Sequence, residues 1–227
     1  MWRVIHGKKR SAEENMAFDA DLLEEIQVGD DPILHFYEWD GPCLTYGYFL
    51  KPSDFLNLEK CRELGVSMAR RPTGGGIIFH IGDLAFAAVV PAGDKGYFEK
   101  TLDNYTYINE KVKRAIEKVA GGVAELLPVD PVARTESCGN FCMAKPTIYD
   151  VMIGERKVAG AAQRKRKNGY LHQGSISIHF PKEVIEAVVL PGRGVIEAMD
   201  AETFEIAGEL EVVREKMKQA LIEVFNE

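Results

Sequence analysis

Two residues with the chemistry of a covalent catalyst stand close together in the chain. Cys142 lies in CGNFCMAKP (138–146) and Lys157 in GERKVAGAAQ (154–163). A thiolate is a strong nucleophile once a nearby cation favours it, and Lys145 or Lys157 can supply that cation. A lysine facing the reacting carbon also stabilises an oxyanion. A third stretch, RRPTGGGIIFH (70–80), sets Arg70, Arg71 and Thr73 before three glycines, Gly74, Gly75 and Gly76, and ends at His80. Bare backbone of this kind admits close approach of a ligand and can form a nest of N–H groups for an anion. The two arginines can grip a carboxylate or phosphate. Past Lys157 the side chains become small, at Gly160, Ala161 and Ala162, leaving a trough in which a flat or long group can lie.

Each feature also has a plainer reading. A glycine run can be a turn, a cysteine a small buried hydrophobe, and a hairpin lysine a solvated one. His80 and His172 beside apolar residues fit structural histidines as well as catalysts. The RKRK run (164–167) is a solvated hairpin tip or a docking patch for an acidic partner. Cys138 and Cys142 have metal-like spacing, but no second pair and no nearby histidine completes a tetrahedral set, so no metal is expected.

These residues need elements to hold them. SAEE (11–14) is a capping box ahead of apolar residues at helical spacing, which predicts a helix over 12–28. Helices are also expected over 53–64, 103–119, 181–190 and 209–227. Strands are expected at 2–5, 33–39, 66–71, 76–80 and 84–91, with 41–50 extended after a turn. The IGD between 76–80 and 84–91 reads as a hairpin turn. Residues 126–147 are irregular and proline-rich, a long loop of the kind that often carries function. Residues 148–180 read as a β-meander with turns at GER and RKRKNG. Hairpins mixed with isolated helices predict an α+β fold rather than an alternating α/β one.

The 227 residues suit one domain, and 46% hydrophobic residues can fill a core. A net charge of −7 argues against a nucleic-acid partner. No apolar run approaches a membrane span and no apolar leader follows the N-terminus, so the expected location is the cytoplasm. There, four scattered cysteines stay reduced.

Taken in order, ENMAFDADLL (14–23), FYEWDGPCLTYGYF (36–49), RRPTGGGIIFH and GERKVAGAAQRKRKNGYLHQGSISI (154–178) resemble the motifs of the lipoate and octanoate attachment family. That family shares a fold with biotin protein ligases. The resemblance implies a mixed, largely antiparallel sheet flanked by helices, in one catalytic domain over 1–227 with no separate C-terminal accessory domain. It implies a glycine loop lining an acyl pocket, an active-site lysine at Lys157, and a substrate site drawn from Arg70 to Gly76, His80, Gly160 to Ala162 and His172. The acceptor would be a lysine of a lipoyl domain or of a glycine-cleavage H protein.

Two activities occur in such a family. FCMAKPTIYD (141–150) resembles the segment of a transferase group in which a cysteine, here Cys142, takes octanoate from acyl carrier protein as a thioester, with no cofactor. Gly76 instead matches the ligases, which use ATP and magnesium to form lipoyl-AMP; the transferase group tends to carry arginine there. Met143 and the order of LHQGS (171–175) also depart from the transferase pattern. A ligase split over two chains and a non-catalytic binding module stay open as alternatives.

Overall fold

A computed structural model of the chain describes residues 1–130 and 140–227. Cys138 and the centre of the predicted 126–147 loop lie outside the described residues. The described residues build two sheets. The larger has seven strands in the spatial order β1 (Arg3–Arg10), β2 (Ile33–Trp39), β6 (Asp83–Pro91), β10 (Gly169–Ser177), β9 (Arg156–Lys165), β8 (Val151–Ile153) and β7 (Glu125–Leu126). All neighbours are antiparallel except β1 and β2. A parallel pair needs a crossover, and α1 (Ala12–Glu25) provides it. The smaller sheet runs β4 (Ser67–Arg70), β3 (Cys43–Tyr46), β5 (Ile77–His80). Its parallel β3–β4 pair is bridged by α2 (Leu58–Glu63). This is the expected α+β architecture with a largely antiparallel sheet.

Local chemistry sets the element boundaries. Ser11 accepts from the Glu14 N–H while the Glu14 side chain accepts from the Ser11 N–H, so α1 starts at the predicted capping box. The helices α3 (Thr101–Ala120) and α6 (Leu210–Asn226) cover one face of the large sheet. Ile108, Val112 and Ile116 of α3 and Met217, Leu221 and Val224 of α6 meet Phe86, Tyr170 and Ile176 there. On the other face α1 packs Met16, Leu22, Leu23 and Ile26 against Val89 and Leu171. The small sheet buries Leu44 and Ile77 against Phe141 and Met143, with Ile185 of α4 (Lys182–Val188) and Met199 of α5 (Val195–Glu202). Among the described residues no helix is long and apolar enough to cross a membrane.

Three expectations need correction. IGD is not a hairpin turn, because β5 belongs to the small sheet and β6 to the large one. The chain changes sheet there, and Gly82 lets it pass, since a Cβ at that position would sit 2.1 Å from the His179 carbonyl oxygen. The 53–64 helix is shorter: a 3₁₀ turn at Pro52–Asp54 precedes α2, which restarts at the Asn57 cap. Finally, α5 went unread because its eight residues follow PGRG, whose proline and glycines signal only loop.

Candidate active site

A cavity of about 350 Å³ opens between the two sheets. Its walls come from the glycine loop (Arg71, Gly75, Gly76), β5 (Ile78, His80), the segment Asn140–Met143, and the β9–β10 hairpin. Met16, Tyr37, Thr45, Lys145 and Thr147 complete it.

Cys142 is placed by main chain. The Ile77 N–H donates to the Asn140 carbonyl at 2.6 Å and the Cys142 N–H to the Ile77 carbonyl at 2.9 Å. Residues 140–142 thus add a short strand-like rung to the edge of β5. Gly76 permits it: a Cβ there would lie 2.2 Å from the Asn140 oxygen. A Cβ on Gly75, whose φ is +89°, would lie 3.8 Å from Cys142 Sγ and 3.7 Å from Ala162 Cβ, so loop, thiol and hairpin converge. Gly47 packs beneath them, with space for no side chain against the Gly75 carbonyl. Cys43 and Cys61 are buried, and burial raises both thiols above the usual range; Cys142 is half-buried. Among the described residues the N–H groups of Gly74, Gly75 and Gly76 meet no protein acceptor.

Lys157 reaches the same place through a bulge. The β8–β9 register runs Val151↔Ala159 and then Met152↔Lys157, so β9 carries one extra residue between them. That slip brings Lys157 to the cavity side along with Gly160 and Ala162. The ammonium is buried. It donates to Asp150 Oδ2 at 2.6 Å and to the Cys142 carbonyl at 2.8 Å. Asp150 in turn accepts from the N–H and hydroxyl of Thr147 at 2.7 and 3.0 Å. Gly160 leaves room for the pair: a Cβ would come within 2.5 Å of Lys157 Nζ and 2.9 Å of Asp150 Oδ1.

Arg71 lies inside the protein rather than at the mouth. Its guanidinium donates to the Gly74 and Gly76 carbonyls at 2.9 and 2.8 Å and to Thr45 Oγ1 at 2.9 Å. It therefore shapes the glycine loop from within. Thr45 lies 2.9 Å from His80 Nε2; His80 Nδ1 lies 2.8 Å from Asp83, which also accepts from Ser175. A second buried network centres on Asp19, which accepts from Tyr37, Gln173 and, through Nδ1, His35. Burial first, and then the Asp19 charge, hold the Tyr37 hydroxyl well above its usual pKa. The Thr73 hydroxyl donates to Gln173 Oε1 at 2.8 Å, which fixes that side-chain amide.

Of the residues expected from the sequence, Cys142, Lys157, Arg71, Gly75, Gly76, His80, Gly160, Ala161 and Ala162 line the cavity. Thr73 and Gly74 support the loop from behind. Arg70 is exposed and stacks on Tyr48 instead. His172 faces the other side of the sheet, against Phe86 and Tyr105, because alternation along β10 sends Gln173 and Ser175 to the cavity. Burial pushes its pKa down to about 3. Sequence reasoning passed over Asp150, Asp19 and Gln173. The signal for Asp150 was present: the GER turn pairs the residues before it with those after, which brings 150 beside the Lys157 strand.

Two sheets enclosing a cavity, with a glycine loop and a buried lysine on its walls, agree with the lipoate-attachment fold that the sequence motifs resemble. A lipoate protein ligase of Thermoplasma acidophilum solved with bound lipoic acid has this fold (TM-score 0.76, 24% identity, 100% of this chain and 86% of that one). The family described as "Lipoyl protein ligase A/B catalytic domain" matches residues 11–226, and the chain belongs to it. It is 32% identical to octanoyltransferase LipM of Clostridioides difficile over 80% of this chain and 67% of that protein. It is 30% identical to octanoyltransferase LipM of Kyrpidia tusciae over 100% and 86%.

Proposed function

We propose that this chain is an octanoyltransferase of protein lipoylation, moving octanoate from acyl carrier protein to a lysine of a lipoyl domain or glycine-cleavage H protein through a thioester on Cys142. The observation that carries the reading is the fixing of Cys142 to the β5 edge inside the cavity, beside Gly75 and with its carbonyl held by Lys157. The octanoyltransferases among its relatives support the same activity.

The Cys142 sulfur attacks the thioester carbonyl, forming a C–S bond and a tetrahedral oxyanion. The unpartnered N–H groups of the glycine loop are suited to receive that charge, with Lys157 beside them. Collapse breaks the C–S bond to the carrier, whose thiolate takes the proton released by Cys142. The acceptor amine then attacks the acyl-enzyme. A C–N bond forms, the C–S bond to Cys142 breaks, and the amine's proton returns to the sulfur, with Lys157 placed to pass it. Along the trough at Gly160 to Ala162 the chain gains about 0.8 kcal/mol for each CH₂ buried. No nucleotide enters this scheme.

The ligase reading drew on Gly76. Close approach of Asn140 accounts for that glycine locally, without a nucleotide. The deciding experiment is intact-protein mass spectrometry after incubation with octanoyl-acyl carrier protein and no ATP. One added octanoyl group, labile to hydroxylamine and absent from Cys142→Ala, is expected. No adduct, together with ATP-dependent lipoyl transfer by Cys142→Ala, would replace the transferase with a ligase.

A further inference from the structure

The loop following β3 carries a feature that neither the fold nor the cavity uses. Phe49 is 94% exposed, and Tyr48 beside it is 46% exposed. Two guanidinium groups lie over the Tyr48 ring, Arg70 at 5.8 Å and Arg164 at 5.6 Å from its centre. Neither has a carboxylate in ion-pair contact among the described residues. The chain as a whole carries a net charge of −7, so this is a local reversal of sign. Of the expected RKRK patch, Arg164 is joined to this loop, whereas Lys165 is spent on Glu99 and the Phe98 and Glu99 carbonyls.

The patch is continuous with the cavity. Tyr48 N–H donates to the Thr73 carbonyl at 3.0 Å and Gly47 N–H to the Gly76 carbonyl at 3.2 Å, so the Tyr48–Phe49 turn rests on the glycine loop. Arg164 Nη1 donates to the Pro72 carbonyl at 3.0 Å on its other flank. Arg164 also lies two residues beyond Ala162 on β9 and shares its face, about 7 Å further along the strand. Ala162 meets Gly75, which meets Cys142. An exposed aromatic pair flanked by two cations thus adjoins the glycine loop that lines the cavity.

We infer that the Tyr48–Phe49 turn with Arg70 and Arg164 is the docking surface for the acidic carrier protein that delivers the acyl thioester. The inference rests on the transferase reading. Phe49 anchors in an apolar dent of the carrier, and the arginines meet its carboxylates, which sets both encounter rate and orientation. Stacking on Tyr48 holds the guanidiniums in place, so little side-chain freedom is lost on docking.

The test measures the rate of Cys142 octanoylation by wild type, Phe49→Ala and Phe49→Glu with three donors: octanoyl-acyl carrier protein, octanoyl-phosphopantetheine and octanoyl-pantetheine. Phe49 is exposed, so its replacement leaves the fold intact. With the protein donor, kcat/KM is expected to fall roughly tenfold for Phe49→Glu and several-fold for Phe49→Ala, and the wild-type rate to fall with added salt. With both small donors the three proteins should agree within about twofold. Equal losses with all donors would make the turn part of the cavity rather than a docking surface. A loss shared by the protein donor and phosphopantetheine, but not pantetheine, would make it a phosphate subsite. Unchanged rates with the protein donor would remove it from recognition. A wild type acylated by none of the donors would overturn the transferase reading itself, and the docking surface with it.

Discussion

The β9–β10 hairpin buries polar groups on both of its faces, on opposite terms. On the cavity face charge is kept and compensated. Lys157 meets Asp150, and Gln173 is fixed between Thr73 and Asp19. On the face toward α3, His172 is buried with Nδ1 against Gln163 and Nε2 without a partner among the described residues, and desolvation holds it neutral. A buried ion pair is costly to assemble and adds little net stability, whereas a neutral ring packs like any aromatic. The proposed function gives the pairing on the cavity face a role in reactivity, whereas packing accounts for the neutrality on the other.

The largest effect should come from splitting the ion pair. Lys157→Met is expected to lower kcat by roughly 10²–10⁴. It should also cost about 3–5 kcal/mol of stability, because Asp150 is left buried and unpaired. Adding Asp150→Asn should restore most of the stability and none of the turnover. Denaturation and acyl-transfer rates on the two variants separate these roles, and a double variant that regained activity would break the comparison.

Arg71, across the cavity, is compensated by neutral oxygens rather than by a carboxylate among the described residues. Arg71→Lys keeps the charge and loses the fork. The Gly76 carbonyl keeps the Gly47 N–H, but the Gly74 carbonyl left without a donor costs roughly 1–3 kcal/mol, so a drop in Tm is expected, along with faster alkylation of Cys142 as its wall loosens. Unchanged Tm and alkylation would mean that charge, not geometry, is what the loop takes from Arg71.

The smallest effect on turnover belongs to the other face. His172 is shifted from 6.5 down to about 3, so the unfolded chain takes up its proton first. Its contribution is complete above pH 6.5 and is lost as pH falls toward 3, at up to about 1.4 kcal/mol per pH unit. His172→Phe should flatten that part of the stability profile without moving the pH dependence of acyl transfer. A change in the latter would bring His172 back to the reacting face.

Much of this was legible in the sequence where one stretch of chain speaks for itself. The capping box gave the start of α1, the glycine run a backbone open to close approach, and the meander its three strands. Failure came where two distant stretches decide together. Nothing local in IGD tells a hairpin from a change of sheet. Parity along β10 assigns His172 and Gln173 to opposite faces, but only the register with β9 says which face is the cavity. Arg71 reads as a residue free to grip a carboxylate or phosphate until Thr45 and the loop carbonyls are brought round it. The inversion at Lys157 depends on a bulge that hydrophobic pattern does not mark.

The rung between Ile77 and residues 140–142 has a consequence for the working cycle. Phe141 and Met143 are buried in the small-sheet core, and Cys142 between them carries the sulfur. In the proposed mechanism Phe141, Cys142 and Met143 therefore supply both a wall of the cavity and its nucleophile. If this short segment peels from the edge of β5, the container and its contents fail together. In the proposed mechanism the pocket and its nucleophile are therefore made and lost as one unit.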